Sequence, residues 1–133
     1  MKSLNFNEDF YIAITHLFYS FSMIDKTITI QEKKEIVWAI KEEWATNEYG
    51  FNSEELIYET MRNLINGNLS AEKAYDFFKS FFLTNNSFFN NEVNIELLDT
   101  CYKICNANNS KNKSELILLA KLQKLIEDRK IIN

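Results

Sequence analysis

In 133 residues the chain has no proline and only two glycines, and no other feature restricts its fold as much. Tight hairpins, phosphate-cradling loops and bulged strands depend on residues that take a positive φ or hold φ fixed. A chain with so few of them changes direction through polar caps and short Asn- and Ser-containing links between helices. The reading is therefore all-α, a single bundle of about six helices over residues 1–133. With 46% hydrophobic residues, 11 of them Phe, the chain has enough apolar surface to offset the entropy of ordering, which excludes disorder.

Apolar spacing places the helices. Phe10, Ile14, Leu17, Phe18, Phe21 and Ile24 share one face of a first helix from about Asn7 to Ile24, with Asn7 as its cap. Thr29-Ile30-Gln31-Glu32 has the form of a capping box ahead of the stripe Ile36, Val37, Ile40, Trp44. Asn52 or Ser53 caps a third helix carrying Ile57, Met61, Leu64 and Ile65, which Asn66-Gly67 stops. Ser70 opens a fourth, whose set Ala71, Ala74, Tyr75, Phe78, Phe81, Phe82 is the cleanest stripe in the chain. Val93, Leu97, Leu98, Cys101, Ile104 and Cys105 point inward from a fifth. The last helix, about Asn112 to Arg129, opens with the apolar run Leu116 to Ala120, and apolarity on several sides predicts that it is the central element. An offset of 83 residues lays Asp25 on Asn108, Glu32 on Glu115, Ile36 on Leu119 and Ile40 on Gln123, as in a degenerate duplication of one helix-loop-helix unit.

Charge and cysteine usage narrow the function. A net charge of −4 without a basic cluster offers nothing to a nucleic-acid backbone. No apolar run approaches the length that crosses a bilayer, and the first nine residues lack the pattern of a signal peptide, so a cytoplasmic protein without a transmembrane segment is expected. Cys101 and Cys105, four apart on one apolar stripe, read as reduced, buried thiols. The single His16 excludes a multi-His metal centre within one chain and reads as a structural histidine at the edge of the first helix's buried face; with Cys101 and Cys105 it makes at most a formal zinc set. No nucleophile stands beside a base, so no enzyme is expected. Phe77, Trp38, Phe88 and Phe89 fall off the stripes or in a polar link, where they serve either a partner surface or, as expected for adjacent aromatics, the pinning of that link to the core.

The segment His16 to Glu32 combines an apolar helix, an acid in the following loop (Asp25), Ile28 three residues later and Glu32 in the next first turn. With Ala107-Asn108-Asn109 and Glu115 in the second half, and SELILLAKLQKLIED at Ser114 to Asp128, this resembles the tellurite-resistance TerB-like family. Lys26 stands where that family has a glycine, and Asn108 where it has a second acid. The resemblance implies a compact helical domain that works with a partner protein in a stress response, with Asp25, Glu32, Glu115 and Asn108 as oxygen ligands of a divalent cation, Ca²⁺ or Mg²⁺. Glu32 also has the role of capping-box acid, which needs no metal. The leading expectation is thus a non-enzymatic interaction or cation-sensing domain; the alternative is a homo-oligomeric scaffold without metal.

Overall fold

The computed structural model describes residues 6–24, 30–44, 51–107 and 113–132, without the side chains of residues 30–33, 35, 39, 107 and 130–132. Over these the chain is an all-α bundle of six helices: α1 (Glu8–Met23), α2 (Ile30–Trp44), α3 (Ser53–Asn66), α4 (Ala71–Thr84), α5 (Asn91–Ala107) and α6 (Lys113–Ile132), with a 3-10 turn at Asn86–Phe88. Polar caps set the helix starts. Asn7 Oδ1 accepts from Phe10 N–H at 2.9 Å, Asn52 Oδ1 from Glu55 N–H at 3.1 Å and Ser70 Oγ from Lys73 N–H at 3.2 Å, each satisfying a donor the first turn leaves free. Asn90 does the same for α5 through Val93 N–H at 2.9 Å, a cap that the sequence reading did not single out.

The centre of the bundle is α1, not α6. From Phe10 to Ser22 every residue of α1 except Ile12 is buried, and α1 packs against α3, α4 and α5. Its only charges, Glu8 and Asp9, lie in the first turn, where the helix dipole favours them. Its interior polar groups turn back onto their own helix: Thr15 Oγ1 donates to the Tyr11 carbonyl at 2.7 Å, Ser20 Oγ to Leu17 at 2.5 Å and Ser22 Oγ to Tyr19 at 2.8 Å. A helix that carries its own partners can be buried all round without leaving polar atoms dry. By contrast α6 packs mainly on α5 and buries one stripe, Leu118, Leu122 and Ile126, while Leu116 and Ile117 stay half exposed. Lys121, Lys124, Glu127 and Asp128 on its remaining faces hold it at the surface, because desolvating them would cost more than the apolar run gains.

The expected stripes of the other helices face this centre. Ile36, Ile40 and Trp44 of α2, Ile57 and Met61 of α3, Ala74, Tyr75, Phe78 and Phe82 of α4, and Val93, Leu97, Cys101, Ile104 and Cys105 of α5 are all buried. Phe88 stacks on Phe81 with ring centres 6.0 Å apart, and Phe89 lies 4.7 Å from Phe82 and edge-on to Phe78 at 5.9 Å. The α4–α5 link is therefore pinned by its aromatics, as expected.

Helix α3 stops where the sequence predicts, with one reassignment. Gly67 has φ −80° and stays right-handed, and the left-handed residue is Asn68 at φ 51°. Asn68 N–H reaches the Ile65 carbonyl at 3.1 Å and Leu69 N–H the Leu64 carbonyl at 3.2 Å, the paired bonds of a Schellman end. The Tyr19 hydroxyl of α1 locks this turn from inside, 2.7 Å from the Leu69 carbonyl and 3.2 Å from that of Leu64.

The offset of 83 holds for helix starts: Glu8 maps to Asn91 and Ile30 to Lys113. It also holds for the buried positions of α1 and α5, pairing Phe10 with Val93, Ile14 with Leu97, Phe18 with Cys101 and Phe21 with Ile104. In the second helices the buried positions pair one residue earlier, Ile36 with Leu118, Ile40 with Leu122 and Trp44 with Ile126. By burial, Glu115 therefore matches Lys33 rather than Glu32, and Ile36 matches Leu118 rather than Leu119.

Candidate functional site

Of the four expected cation ligands, Asp25 and Asn108 lie outside the described residues, as does the capping threonine Thr29. Glu32 falls in the first turn of α2, with its side chain outside the described set. Glu115 is in the first turn of α6 and wholly buried. Among the described residues no group of three or more His, Cys, Asp or Glu is placed to hold a metal ion, so the formal zinc set of His16, Cys101 and Cys105 is not assembled. Both cysteines are buried and unbridged. Burial, reinforced by neighbouring Cys105, pushes the Cys101 thiol well above its ordinary range, which keeps it protonated and poorly nucleophilic.

His16 has a structural place. Its Nδ1–H donates to the Ile12 carbonyl at 2.8 Å, and its ring stacks on Phe77 with centres 3.9 Å apart. Burial holds its pKa below the ordinary histidine value, partly offset by that backbone bond. Phe77, half exposed, thus has a partner within the chain. Trp38, 62% exposed on α2, does not use its ring to build the core.

The strongest surface feature is one that the stripes did not disclose. Helices α2 and α5 pack with a groove of about 650 Å³ between them, walled by Glu42 and Glu43 on one side and Glu92, Glu96 and Asp99 on the other. Lys103 is the one cation of this lining, held by Glu43 and, at 3.2 Å, by Asp99; these carboxylates raise its pKa. Ile95 also lines the groove, yet is 67% exposed. On α2, Trp38 stands one helical turn before Glu42, on the same side of the helix.

A buried tether fixes the two walls. Trp44 Nε1–H donates to Thr100 Oγ1 at 3.0 Å, and the Thr100 hydroxyl in turn has the Glu96 carbonyl at 2.8 Å and Glu43 Oε2 at 3.2 Å as acceptors. The spacing Glu92, Ile95, Glu96, Asp99, Lys103 does put these residues on one side of α5. That α2 faces them across a groove is a fact of packing, with no signature in the spacing.

Chemically, carboxylates around an exposed aliphatic side chain suit a cationic segment that carries an apolar anchor: charge complementarity steers and orients, and desolvation of the anchor supplies affinity. No protein-family model matches the chain, and neither the curated proteins nor the solved structures include a significant match to it. The helices, caps and lining residues therefore carry the functional reading. Among the described residues no helix is long and apolar enough to cross a membrane.

Proposed function

We propose that the protein is a non-enzymatic interaction domain whose α2–α5 groove takes a Lys- or Arg-rich amphipathic segment of a partner protein, as a TerB-like stress-response module in the cytoplasm would. The observation that carries this reading is the composition of the lining: five carboxylates, one ammonium and an isoleucine that is 67% exposed. An exposed aliphatic residue amid acids adds nothing to the bundle's own core, whereas in a complex it is the kind of side chain that becomes buried under a polar rim. Rigid walls favour the same reading, because the Trp44–Thr100 bond orders the groove before a partner arrives. The unbridged, buried cysteines are in keeping with a reducing compartment.

Calorimetric titration with a Lys/Leu amphipathic helical peptide, against a Glu/Leu peptide of the same pattern, tests the proposal. The basic peptide should bind, more weakly as salt rises, and the double variant Glu92→Lys/Glu96→Lys should lose at least about tenfold in affinity, or about 1.4 kcal/mol. Equal binding of both peptides, or an unchanged affinity in the folded variant, rejects it.

A further inference from the structure

Helix α6 carries apolar side chains that the bundle does not use. Its buried stripe is Leu118, Leu122 and Ile126, whereas Leu116 and Ile117 are 51% and 53% exposed on the opposite side, with Ala120, also exposed, one turn further on. Two rows of four-residue steps run along this outer side: Lys113, Ile117, Lys121 and, beside it, Leu116, Ala120, Lys124. All three lysines are exposed, and Glu115, the one acid between Lys113 and Lys124, is wholly buried. The outer face of this stretch thus presents aliphatic side chains framed by positive charge alone. Lys121 and Lys124 also border a groove of about 360 Å³ between α6 and α4, where the Lys121 ammonium lies 5.1 Å from the centre of the Tyr75 ring and Lys124 lies 3.5 Å from Asp128. Both members of that ion pair are more than half exposed, so it holds Lys124 only weakly and leaves it able to exchange partners.

A lysine-framed aliphatic face is the chemistry that suits the acidic α2–α5 groove. The lengths agree: Glu92 to Lys103 on α5 and Lys113 to Lys124 on α6 each run about 16 Å at 1.5 Å per residue. The charges agree as well, with five carboxylates and a single ammonium on the groove and three ammonium groups on the α6 face. Leu116 and Ile117 give Ile95 and Trp38, which are 67% and 62% exposed, an apolar surface to be buried against. No copy can turn this face into its own groove, because Leu118, Leu122 and Ile126 hold α6 on the bundle with the face outward.

We propose that the segment seated in the α2–α5 groove is the outer face of α6, Lys113 to Lys124, of a second copy of this chain, so that copies join head to tail. The inference rests on the reading of the groove given above and names its occupant. Because the groove and the α6 face are different patches of one chain, each bound copy still offers one of each, and association continues into an open chain or closes as a ring. Seating one helix face in one groove buries less than a standard interface, and charge contributes much of the attraction, so the contact is weak and sensitive to salt.

Sedimentation velocity of the full chain over a concentration series tests the inference. In about 50 mM salt the average mass should rise past that of a dimer, with a Kd below about 100 µM, and should fall towards the monomer as salt is added. Glu92→Lys/Glu96→Lys removes the groove, and Lys113→Gln/Ile117→Gln, at exposed positions, removes the α6 face. Each variant alone should be monomeric, and an equimolar mixture should form a complex of two copies and no more, since one intact groove and one intact α6 face remain to meet. Pairing in the mixture also shows that both variants are folded. The Lys/Leu peptide should dissociate the wild-type assemblies and should bind Lys113→Gln/Ile117→Gln at least as tightly as wild type. A wild-type chain still monomeric at about 100 µM, undiminished self-association of either variant alone, or a mixture that does not pair would each overturn the proposal. A monomeric wild type that binds the peptide removes the second copy as occupant and leaves the groove reading standing; one that does not bind it removes both.

Discussion

Replacing Phe89 by alanine removes a ring that holds the α4–α5 link against aromatics of two helices, α1 and α4. Phe82 lies 4.7 Å away, Phe10 5.7 Å, Phe78 5.9 Å and Phe81 6.1 Å between ring centres, and Phe89 itself is 8% exposed. Loss of the transferred area contributes roughly 1.5–3 kcal/mol, and the cavity left among rings that cannot fully collapse brings Phe-to-Ala changes to about 3–5 kcal/mol. Because Phe89 borders solvent at the end of a short 3-10 turn, the link can settle partly into the space, which places the loss near the lower end, about 3 kcal/mol. Phe77→Ala is the matched control. Its ring is 48% exposed and touches His16 on one face, so about half the burial is at stake, on the order of 1 kcal/mol. Urea unfolding followed by far-UV circular dichroism reads both values at constant slope. A total stability of about 5–15 kcal/mol leaves the Phe89 variant folded but clearly weakened. A loss below about 1 kcal/mol for Phe89→Ala, or one no larger than that of Phe77→Ala, would refute the aromatic anchoring of the link.

Three further outcomes are expected. Asn68→Ala should cost about 1 kcal/mol because it removes the short polar side chain that makes left-handed backbone tolerable for a residue with a β-carbon, whereas Gly67→Ala should cost less, its φ being right-handed and the added Cβ asking only that the Asn63 carbonyl, 3.2 Å away, give by a few tenths of an ångström; the opposite order in thermal unfolding would place the left-handed residue at Gly67. The single histidine gives one pair of ring C–H resonances, whose NMR titration should have its midpoint below the ordinary 6.5. Since the unfolded chain then binds the proton more readily, His16 lowers stability as pH falls from about 6.5 through the folded midpoint, and a midpoint at or above 6.5 contradicts its burial. Finally, the cation expectation for Asp25, Glu32, Asn108 and Glu115 predicts Ca²⁺ or Mg²⁺ binding to metal-stripped protein that Asp25→Ala abolishes in calorimetry; silence from both ions, or heat unchanged by the substitution, removes it.

The parts of the fold legible in the sequence are those that short-range chemistry decides. Asn52 and Ser70 cap the helices they precede, because a side-chain oxygen three residues from a free N–H is a local arrangement. The α4 stripe faces inward because its spacing allows one buried face. Which helix becomes central depended on charge placement rather than apolar content. Both α1 and α6 have long apolar stretches, but α1 confines its charges to the first turn and α6 spreads them along its length. The left-handed residue after α3 was ambiguous within Gly67-Asn68, since both types tolerate that backbone. Both grooves join faces from helices far apart in sequence, α2 with α5 and α4 with α6, and hydrophobic periodicity says nothing about which polar faces meet. Asp25 and Asn108 were legible as candidate ligands only through the resemblance, and they lie outside the described residues.

Chemical-shift mapping with the Lys/Leu peptide tests the acidic groove most directly, because Trp38 and Ile95 stand on its two helices as separate reporters. The Trp38 indole N–H and the Ile95 methyls should shift together and saturate at one peptide per chain, while the His16 ring, stacked on Phe77 of α4, stays in place. Shifts centred on α4 and α6, or no saturable change at Ile95, would contradict the role assigned to the groove.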